Sequence, residues 1–378
     1  MGEQDSDVKI SVVTVCYNSA KTLEQTIRSV IGQKYKNLEY IIIDGGSTDG
    51  TLEIIKKYEP YISYWVSEPD KGAYDAMNKG IQAASGKLVS CLNSDDWYFD
   101  GVLQRVADTY AETQADLLHG DMCVVDEQGK VLKLLSSKNP QLDRMLYETV
   151  IYHPCCFIRT NILKQRPLDI KYPICADEDL FIDLYLKNYK FAYLGEGGIT
   201  HFRMGGRSST SSIETPKEYY RIGKKYLKHY RGQPLYADIK QNLRRMRVYP
   251  FLLETKNNFT EAHQEKVKKA LRGKKIGKVI VFGAGTVGRV MAEMLSKMQI
   301  DFAIADNNSK LIGTEVCGKK IISVSGLRVN DGEIVLLANS GHTDGMIEQL
   351  REMGLKKDKD FYDFQDWCMY LAYLRYMR

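Results

Sequence analysis

No run of 18 or more apolar residues occurs in the 378-residue chain, so nothing in it reads as a membrane-spanning helix. Internal repeats and low-complexity tracts are also missing, which excludes solenoid and array architectures. The eight cysteines include no Cys-x-x-Cys pair, the spacing that thiol redox centres and structural zinc sites require. Cys155 and Cys156 are adjacent, a poor arrangement for a disulfide with each other. The cysteines are therefore expected to act as small core hydrophobes in a reduced chain. Charge of one sign is not in large excess, with a net value of +5. The first residues, Met1 to Asp7, are polar and acidic and do not read as a signal peptide. A cytoplasmic chain is expected, with two or three domains at this length.

What is present is alternation of strand and helix. Lys9 to Cys16 is a β-branched run, and Leu23, Ile27, Val30 and Ile31 follow at helical spacing. Leu38 to Ile43 is a second strand, ending in Asp44-Gly45-Gly46-Ser47. Ile62 to Ser67, Tyr74 to Ala84 and Lys87 to Leu92 read as strand, helix and strand. Such alternation predicts an α/β fold with a mostly parallel sheet flanked by helices. Ligands in such sheets bind beyond the carboxyl ends of the strands. The polar clusters Tyr17-Asn18, Asp44-Gly45 and Asn93-Ser94-Asp95-Asp96 all fall at those ends. From Asp116 to Ser209 the pattern turns to short strands and loops.

Asn93-Ser94-Asp95-Asp96 carries the clearest chemistry. Carboxylates at a strand end can hold a divalent cation that stabilises a diphosphate leaving group. The same residues can also simply cap the following helix.

Taken in order, five segments resemble the family-2 glycosyltransferases of the GT-A nucleotide-diphospho-sugar transferase fold, over roughly Val8 to Ser209. They are Ser11-Val-Val-Thr-Val-Cys-Tyr-Asn18, Tyr40-Ile-Ile-Ile-Asp-Gly-Gly-Ser-Thr-Asp-Gly50, Glu68-Pro-Asp-Lys-Gly-Ala-Tyr-Asp-Ala-Met-Asn-Lys-Gly80, the aspartate motif, and Ala176-Asp-Glu-Asp-Leu180. The resemblance implies inverting, Mg²⁺- or Mn²⁺-dependent transfer of a hexosyl or N-acetylhexosaminyl group from a nucleotide sugar, a UDP-sugar, to an acceptor hydroxyl. It implies donor binding by Tyr17, Asn18, Asp44, Asp70, Lys71, Asn78, Asn93 and Asp95, with Asp44 reading the base or else only turning the chain. Metal ligation falls on Asp96, secondarily Asp95, with His201 as a further ligand or a structural histidine. The commoner family turn has Asp where Gly45 stands, which leaves the ribose contact open. Asp177 aligns with the general base. His153, Glu178, Arg203 and Arg207 are candidates for the acceptor side or for a closing loop. The acceptor implied is a glycan or a polyprenyl-diphosphate-linked precursor of a surface polysaccharide.

Three parts are expected: a glycosyltransferase domain over 1–213, a basic helical connector over 214–275, and a small Rossmann-like domain with an aromatic tail over 276–378. In the connector, lysines and arginines interleave with Tyr219, Tyr220, Tyr226, Tyr230 and Tyr236. That pattern suits either a solvated connector or peripheral contact with the inner face of a membrane. No nucleic-acid-binding module accompanies the charge. Gly283-Ala-Gly-Thr-Val-Gly288 follows a strand and precedes a helix, with Asp306 ending the next strand. This context marks Gly283, Gly285, Gly288 and Asp306 as a second nucleotide site. No catalytic Tyr-x-x-x-Lys follows it. The alternatives are an NAD-dependent oxidoreductase built on that fingerprint and a non-catalytic nucleotide sensor. Self-association is left open.

Overall fold

A computed structural model describes residues 8–206, 214–240, 242–243, 246, 261–338, 344–357 and 359–362. It divides into two compact units, Met1–Ile239 and Lys240–Arg378. Arg207, Arg244, Arg245, Arg247 and the tail from Trp367 lie outside the described residues. Among the described residues no helix is long and apolar enough to cross a membrane.

The first unit begins with strands and helices in alternation: β1 (Ile10–Cys16), α1 (Leu23–Ile31), β2 (Leu38–Asp44), α2 (Thr51–Tyr58), β3 (Tyr64–Ser67), α3 (Ala73–Ala83) and β4 (Leu88–Asn93). It continues through β5 (Trp97–Tyr98), α4 (Val102–Thr113), β6 (Leu117–Val125), β7 (Val131–Leu135), β8 (Cys156–Arg159), α5 (Thr160–Gln165), α6 (Ala176–Leu186), β9 (Phe191–Arg203) and α7 (Glu214–Tyr226). The sheet runs β3-β2-β1-β4-β8-β6-β9-β5, with β7 beside β6. The pairs joining β3, β2, β1 and β4 are parallel, and β8 is antiparallel to both its neighbours. Every residue of β1 is buried, as expected for a strand covered on both faces. In α1 the buried positions are Leu23, Thr26, Ile27 and Val30, the inward stripe of an amphipathic helix.

Register aligns the strand ends. Cys16 lies opposite Asp44, Asp44 opposite Ser67, and Val15 opposite Asn93. The loops that follow β1, β2, β3 and β4 therefore leave the sheet along one edge. Gly80 sets how closely α3 approaches that sheet, because a Cβ there would come within 2.2 Å of a Val13 methyl.

The second half of this unit is more regular than its sequence suggests. β6 has nine residues, all buried, and β9 has thirteen. Glycines 195, 197 and 198 interrupt the apolar pattern of β9, and the β6–β9 pairing shifts register twice near Asp121. The basic stretch expected as a connector also divides. Its first helix, α7, belongs to the first unit, with Glu218, Tyr219, Ile222 and Tyr226 buried. Tyr230 is buried as well. Tyr220 and Tyr236 are half-buried.

The second unit contains α8 (Glu261–Gly273), β10 (Lys278–Phe282), α9 (Thr286–Lys297), β11 (Asp301–Asp306), β12 (Glu315–Val316), β13 (Lys319–Ser323), β14 (Glu333–Leu337), α10 (Asp344–Glu352) and β15 (Phe361–Tyr362). Its sheet order is β12-β13-β11-β10-β14-β15, parallel except for β12. Two buried clusters, on opposite faces of β10 and β14, give this unit a core of its own.

Six of the cysteines, Cys16, Cys91, Cys123, Cys155, Cys156 and Cys175, are buried free thiols. Cys317 is exposed.

Candidate active site

Acidic residues gather along the carboxyl edge of the first sheet, and burial sorts them into two kinds. Asp44, fully buried at the end of β2, accepts hydrogen bonds from the backbone N–H groups of Gly46 (3.0 Å) and Ser47 (2.9 Å). It also accepts from the hydroxyls of Ser47 (2.5 Å) and Ser67 (2.6 Å) and from the Cys16 thiol (3.4 Å). Burial pushes its pKa up, but these donors outweigh that effect and hold it below the usual carboxylate range. About four lone-pair directions are available on a carboxylate, and the protein itself fills them. Asp44, expected either to read a base or to turn the chain, shapes the turn here through these contacts.

Asp70 is different. It is half-buried, with Oδ1 accepting from the Gly72 N–H at 2.7 Å. Its Oδ2 lies only 2.5 Å from where a Cβ on Gly45 would be, and the ring of Tyr17 lies 3.4 Å from the same point. Gly45 is thus the floor of a small recess walled by a carboxylate and an exposed aromatic ring. Tyr17 is 65% exposed. Asn18, at a positive φ of 49°, binds the Ser47–Thr48 turn through its backbone N–H and its Oδ1. Lys71 is exposed on the loop between Asp70 and α3.

The aspartate motif shows the same division. Asp96 is fully buried, accepting from the Arg203 backbone N–H at 3.0 Å and from Asn93 Nδ2 at 3.5 Å. Burial, reinforced by the charge of Asp95, pushes the Asp96 carboxyl well above its usual range. Asp95 is half-buried, and its side chain accepts no side-chain hydrogen bond among the described residues. Burial raises its carboxyl as well. Asp95, expected as the secondary metal ligand, is thus the more exposed of the two carboxylates, and Asp96, expected as the main one, is the more buried.

Arg203 is also committed. Its guanidinium donates to Asp95 O (3.2 Å), Glu127 O (2.5 Å) and Gln25 Oε1 (2.7 Å) and lies over the Trp97 ring at 4.8 Å. It ties the aspartate loop to α1 and to the β6–β7 turn instead of standing free for phosphate. His201 is stacked between Trp97 (4.6 Å) and Phe99 (3.8 Å), and its buried Nδ1 has no partner among the described residues. Burial lowers its pKa. Among the described residues it joins no cluster of three or more His, Cys, Asp or Glu side chains suited to a metal. A magnesium-like ion does not need such a cluster, since it commonly binds through one or two carboxylates plus substrate phosphates and water. The half-buried Asp95 beside Asp96 fits that donor set.

Across the edge stands the acidic start of α6. Asp177 is half-buried, and its Oδ1 accepts from the Tyr74 hydroxyl at 2.8 Å. The His153 ring packs edge-on to Tyr74 with centroids 6.4 Å apart. Burial lowers the His153 pKa, against an opposing pull from Asp177. Glu178 points the other way. It is buried, accepts from Tyr219 of α7 at 2.6 Å, and is pushed well above the carboxylate range by burial and then by Asp177. Its Oε2 has no partner among the described residues. Glu178 is therefore corrected from an acceptor-side candidate to part of the α6–α7 packing. Asn78 is likewise spent, donating to Leu168 O (2.9 Å) and accepting from Leu168 N (3.0 Å).

Two residues here carry no mark in the sequence. Tyr74 lies within a quoted motif, but nothing in its spacing singles it out. Glu218 is an isolated acid in a basic helix, and its Oε2 accepts from Ile174 N (3.0 Å) and Cys175 N (2.9 Å). Those N–H groups begin α6, where no intrahelical acceptor exists.

In the second unit, Gly283 has φ of 112°, and a Cβ on Gly288 would collide with Gly283 O at 1.7 Å. Asp306 accepts from Ala284 N (2.6 Å) and Asn308 N (2.7 Å). The first and third glycines answer to packing, and Asp306 holds the glycine loop.

A family model for glycosyl transferase family 2 matches residues 11–166, and one described as C2185-like, N-terminal matches residues 275–361. A PGL/p-HBAD biosynthesis glycosyltransferase of Mycobacterium bovis is 30% identical over 184 residues, covering 46% of this chain and 68% of that protein. A glycosyltransferase of Haemophilus influenzae is 27% identical over 209 residues, covering 54% and 82%. One from Mycobacterium tuberculosis is 47% identical over 88 residues, but the match spans only 34% of its length. Among solved structures, residues 1–349 of Staphylococcus aureus TarS in complex with UDP align with a TM-score of 0.50 at 19% identity, covering 76% of this chain and 80% of that one. The shared architecture is the curled, parallel-rich GT-A sheet that the sequence led us to expect.

Proposed function

Since the chain belongs to glycosyl transferase family 2, we propose that its first unit transfers a sugar from a nucleotide sugar, a UDP-sugar, to an acceptor hydroxyl with inversion. The observation that carries this reading is the pairing of two half-buried, differently used carboxylates. Asp95 stands at the strand edge with no side-chain donor on its carboxyl among the described residues, and Asp177 stands at the start of α6 with one oxygen held by Tyr74. UDP is the nucleotide bound in the aligned TarS structure, which supports the choice of base.

In this reading the exposed Tyr17 ring stacks on the base, and Asp70 beside Gly45 takes a ribose hydroxyl. Asp95, with Asp96 behind it, would hold Mg²⁺ or Mn²⁺, which when bound neutralises charge building on the diphosphate leaving group. Asp96 and Arg203 keep the Asp95 loop in place. Asp177 removes the proton from the acceptor hydroxyl as that oxygen attacks the anomeric carbon. The acceptor in this reading is a glycan or a polyprenyl-diphosphate-linked precursor. The second unit is a Rossmann-like assembly or regulatory domain.

Calorimetry with UDP, with and without Mn²⁺, tests the donor half. Metal-dependent binding is expected, weakened at least about tenfold in Asp95→Asn, a loss of one strong charged contact. Equal affinity in wild type and Asp95→Asn would refute the assignment.

A further inference from the structure

One phenol proton in this site has two acceptors. The Tyr74 hydroxyl lies 2.8 Å from Asp177 Oδ1 and 2.7 Å from the Ile174 carbonyl oxygen. A phenol donates one hydrogen bond at a time, so only one of these contacts can carry the proton. Tyr74 enters the site from α3, seated by the close approach at Gly80. Ile174 and Asp177 belong to the loop and first turn of α6, which the Glu218 carboxylate caps. Both acceptors are thus held in place while the hydroxyl hydrogen alone can rotate.

We propose that Tyr74 is a positioning residue that aims the Asp177 carboxylate and switches hydrogen-bond partner as Asp177 changes charge. This rests on Asp177 being the base of the transfer. While Asp177 is ionised, Tyr74 donates to Oδ1, which leaves Oδ2 for the acceptor hydroxyl. As the acceptor oxygen bonds to the anomeric carbon and the bond to the diphosphate oxygen breaks, the acceptor proton moves to Asp177. The transferred proton stays on Oδ2, and Oδ1, now the carbonyl oxygen of a neutral acid, accepts less strongly, so the Tyr74 hydrogen turns to the Ile174 carbonyl. No proton leaves Tyr74 in this cycle. Burial and the nearby Asp177 charge push its pKa well above that of an ordinary tyrosine, which keeps the phenol protonated throughout. Other titratable groups close to Asp177 are His153, Cys156, Cys175 and Glu178. Burial shifts each of these four toward its neutral form.

A double-mutant cycle on the full chain tests this, using labelled UDP-sugar turnover with UDP affinity and melting temperature as controls. Tyr74→Phe is expected to lower kcat roughly tenfold or more, the scale of one hydrogen bond to a charged group, with UDP affinity unchanged. In an Asp177→Asn background the same change is expected to cost nothing further. An equal loss in both backgrounds would mean that Tyr74 acts elsewhere, and the proposal falls. Wild-type turnover by Asp177→Asn would instead remove the proposed base, and this inference with it. Should Tyr74→Phe unfold, 3-fluorotyrosine at position 74 keeps the shape and alters only the acidity of the hydroxyl. A changed kcat at constant UDP affinity is then expected, and an unchanged kcat overturns the switch.

Discussion

Position 45 shows how much one missing side chain can decide. An alanine methyl there would sit 2.5 Å from Asp70 Oδ2, so the carboxylate would have to swing away and break its 2.7 Å bond with the Gly72 N–H. Gly45→Ala is therefore expected to weaken UDP binding several-fold, though alanine brings no charge and touches no other polar group. Isothermal titration checks this, and wild-type affinity would mean that Asp70 takes no part in donor binding. The sequence showed Gly45 as a departure from the usual family turn, but not what filled the space. Neighbours across the sheet edge, 25 residues apart in sequence, are invisible to local pattern. The same limit explains Asp44 and Asp96. Both were legible as acids at strand ends, yet their contacts with Ser47, Ser67 and the Arg203 backbone depend on how loops fold back.

Among the elements, α7 is the one whose role the sequence hid most. Composition made it a basic connector, and its burial pattern makes it the brace of α6. Glu218 satisfies two N–H groups at the start of α6, Tyr219 reaches Glu178, and Lys225 with Arg166 neutralises the fully buried Asp179 at 2.7 and 2.6 Å. A buried carboxylate without such partners is costly. Glu218→Ala leaves two backbone donors without an acceptor, a cost of about 3 kcal/mol, and should lower the melting temperature by several degrees. Transfer should slow as well, because Asp177 lies on the turn that Glu218 caps, while UDP affinity stays constant. A variant that melts and turns over like wild type would show that the cap carries no weight. By contrast, β1, α1, β2, β3, α3 and β4 were readable to within a residue or two. β-branched runs covered on both faces and helices with a single buried stripe leave little ambiguity. The full length of β9 was not legible because its glycines break the alternation that marks a strand.

The whole molecule consists of two units with separate cores. Ligands stabilise only the unit that binds them. Differential scanning calorimetry is therefore expected to resolve two transitions, of which UDP with Mn²⁺ raises one and leaves the other in place. A single transition, or equal displacement of both, would contradict independent units. The division into a catalytic α/β unit and a second α/β unit was legible from the alternation and from the glycine fingerprint. The border between them was not, because the helix that completes the first unit looks, by charge alone, like the start of a linker.

The cap on α6 also bears on how such chains should be cut and compared. The family model ends at residue 166, eleven positions before Asp177, and the carboxylate that orders the Asp177 turn comes from position 218. A truncation at the model's border would keep Asp70 and Asp95 and discard Asp177, and one ending at residue 213 would keep Asp177 without its support. Grafting a relative's acceptor segment into this chain would need the partner of position 218 to travel with it.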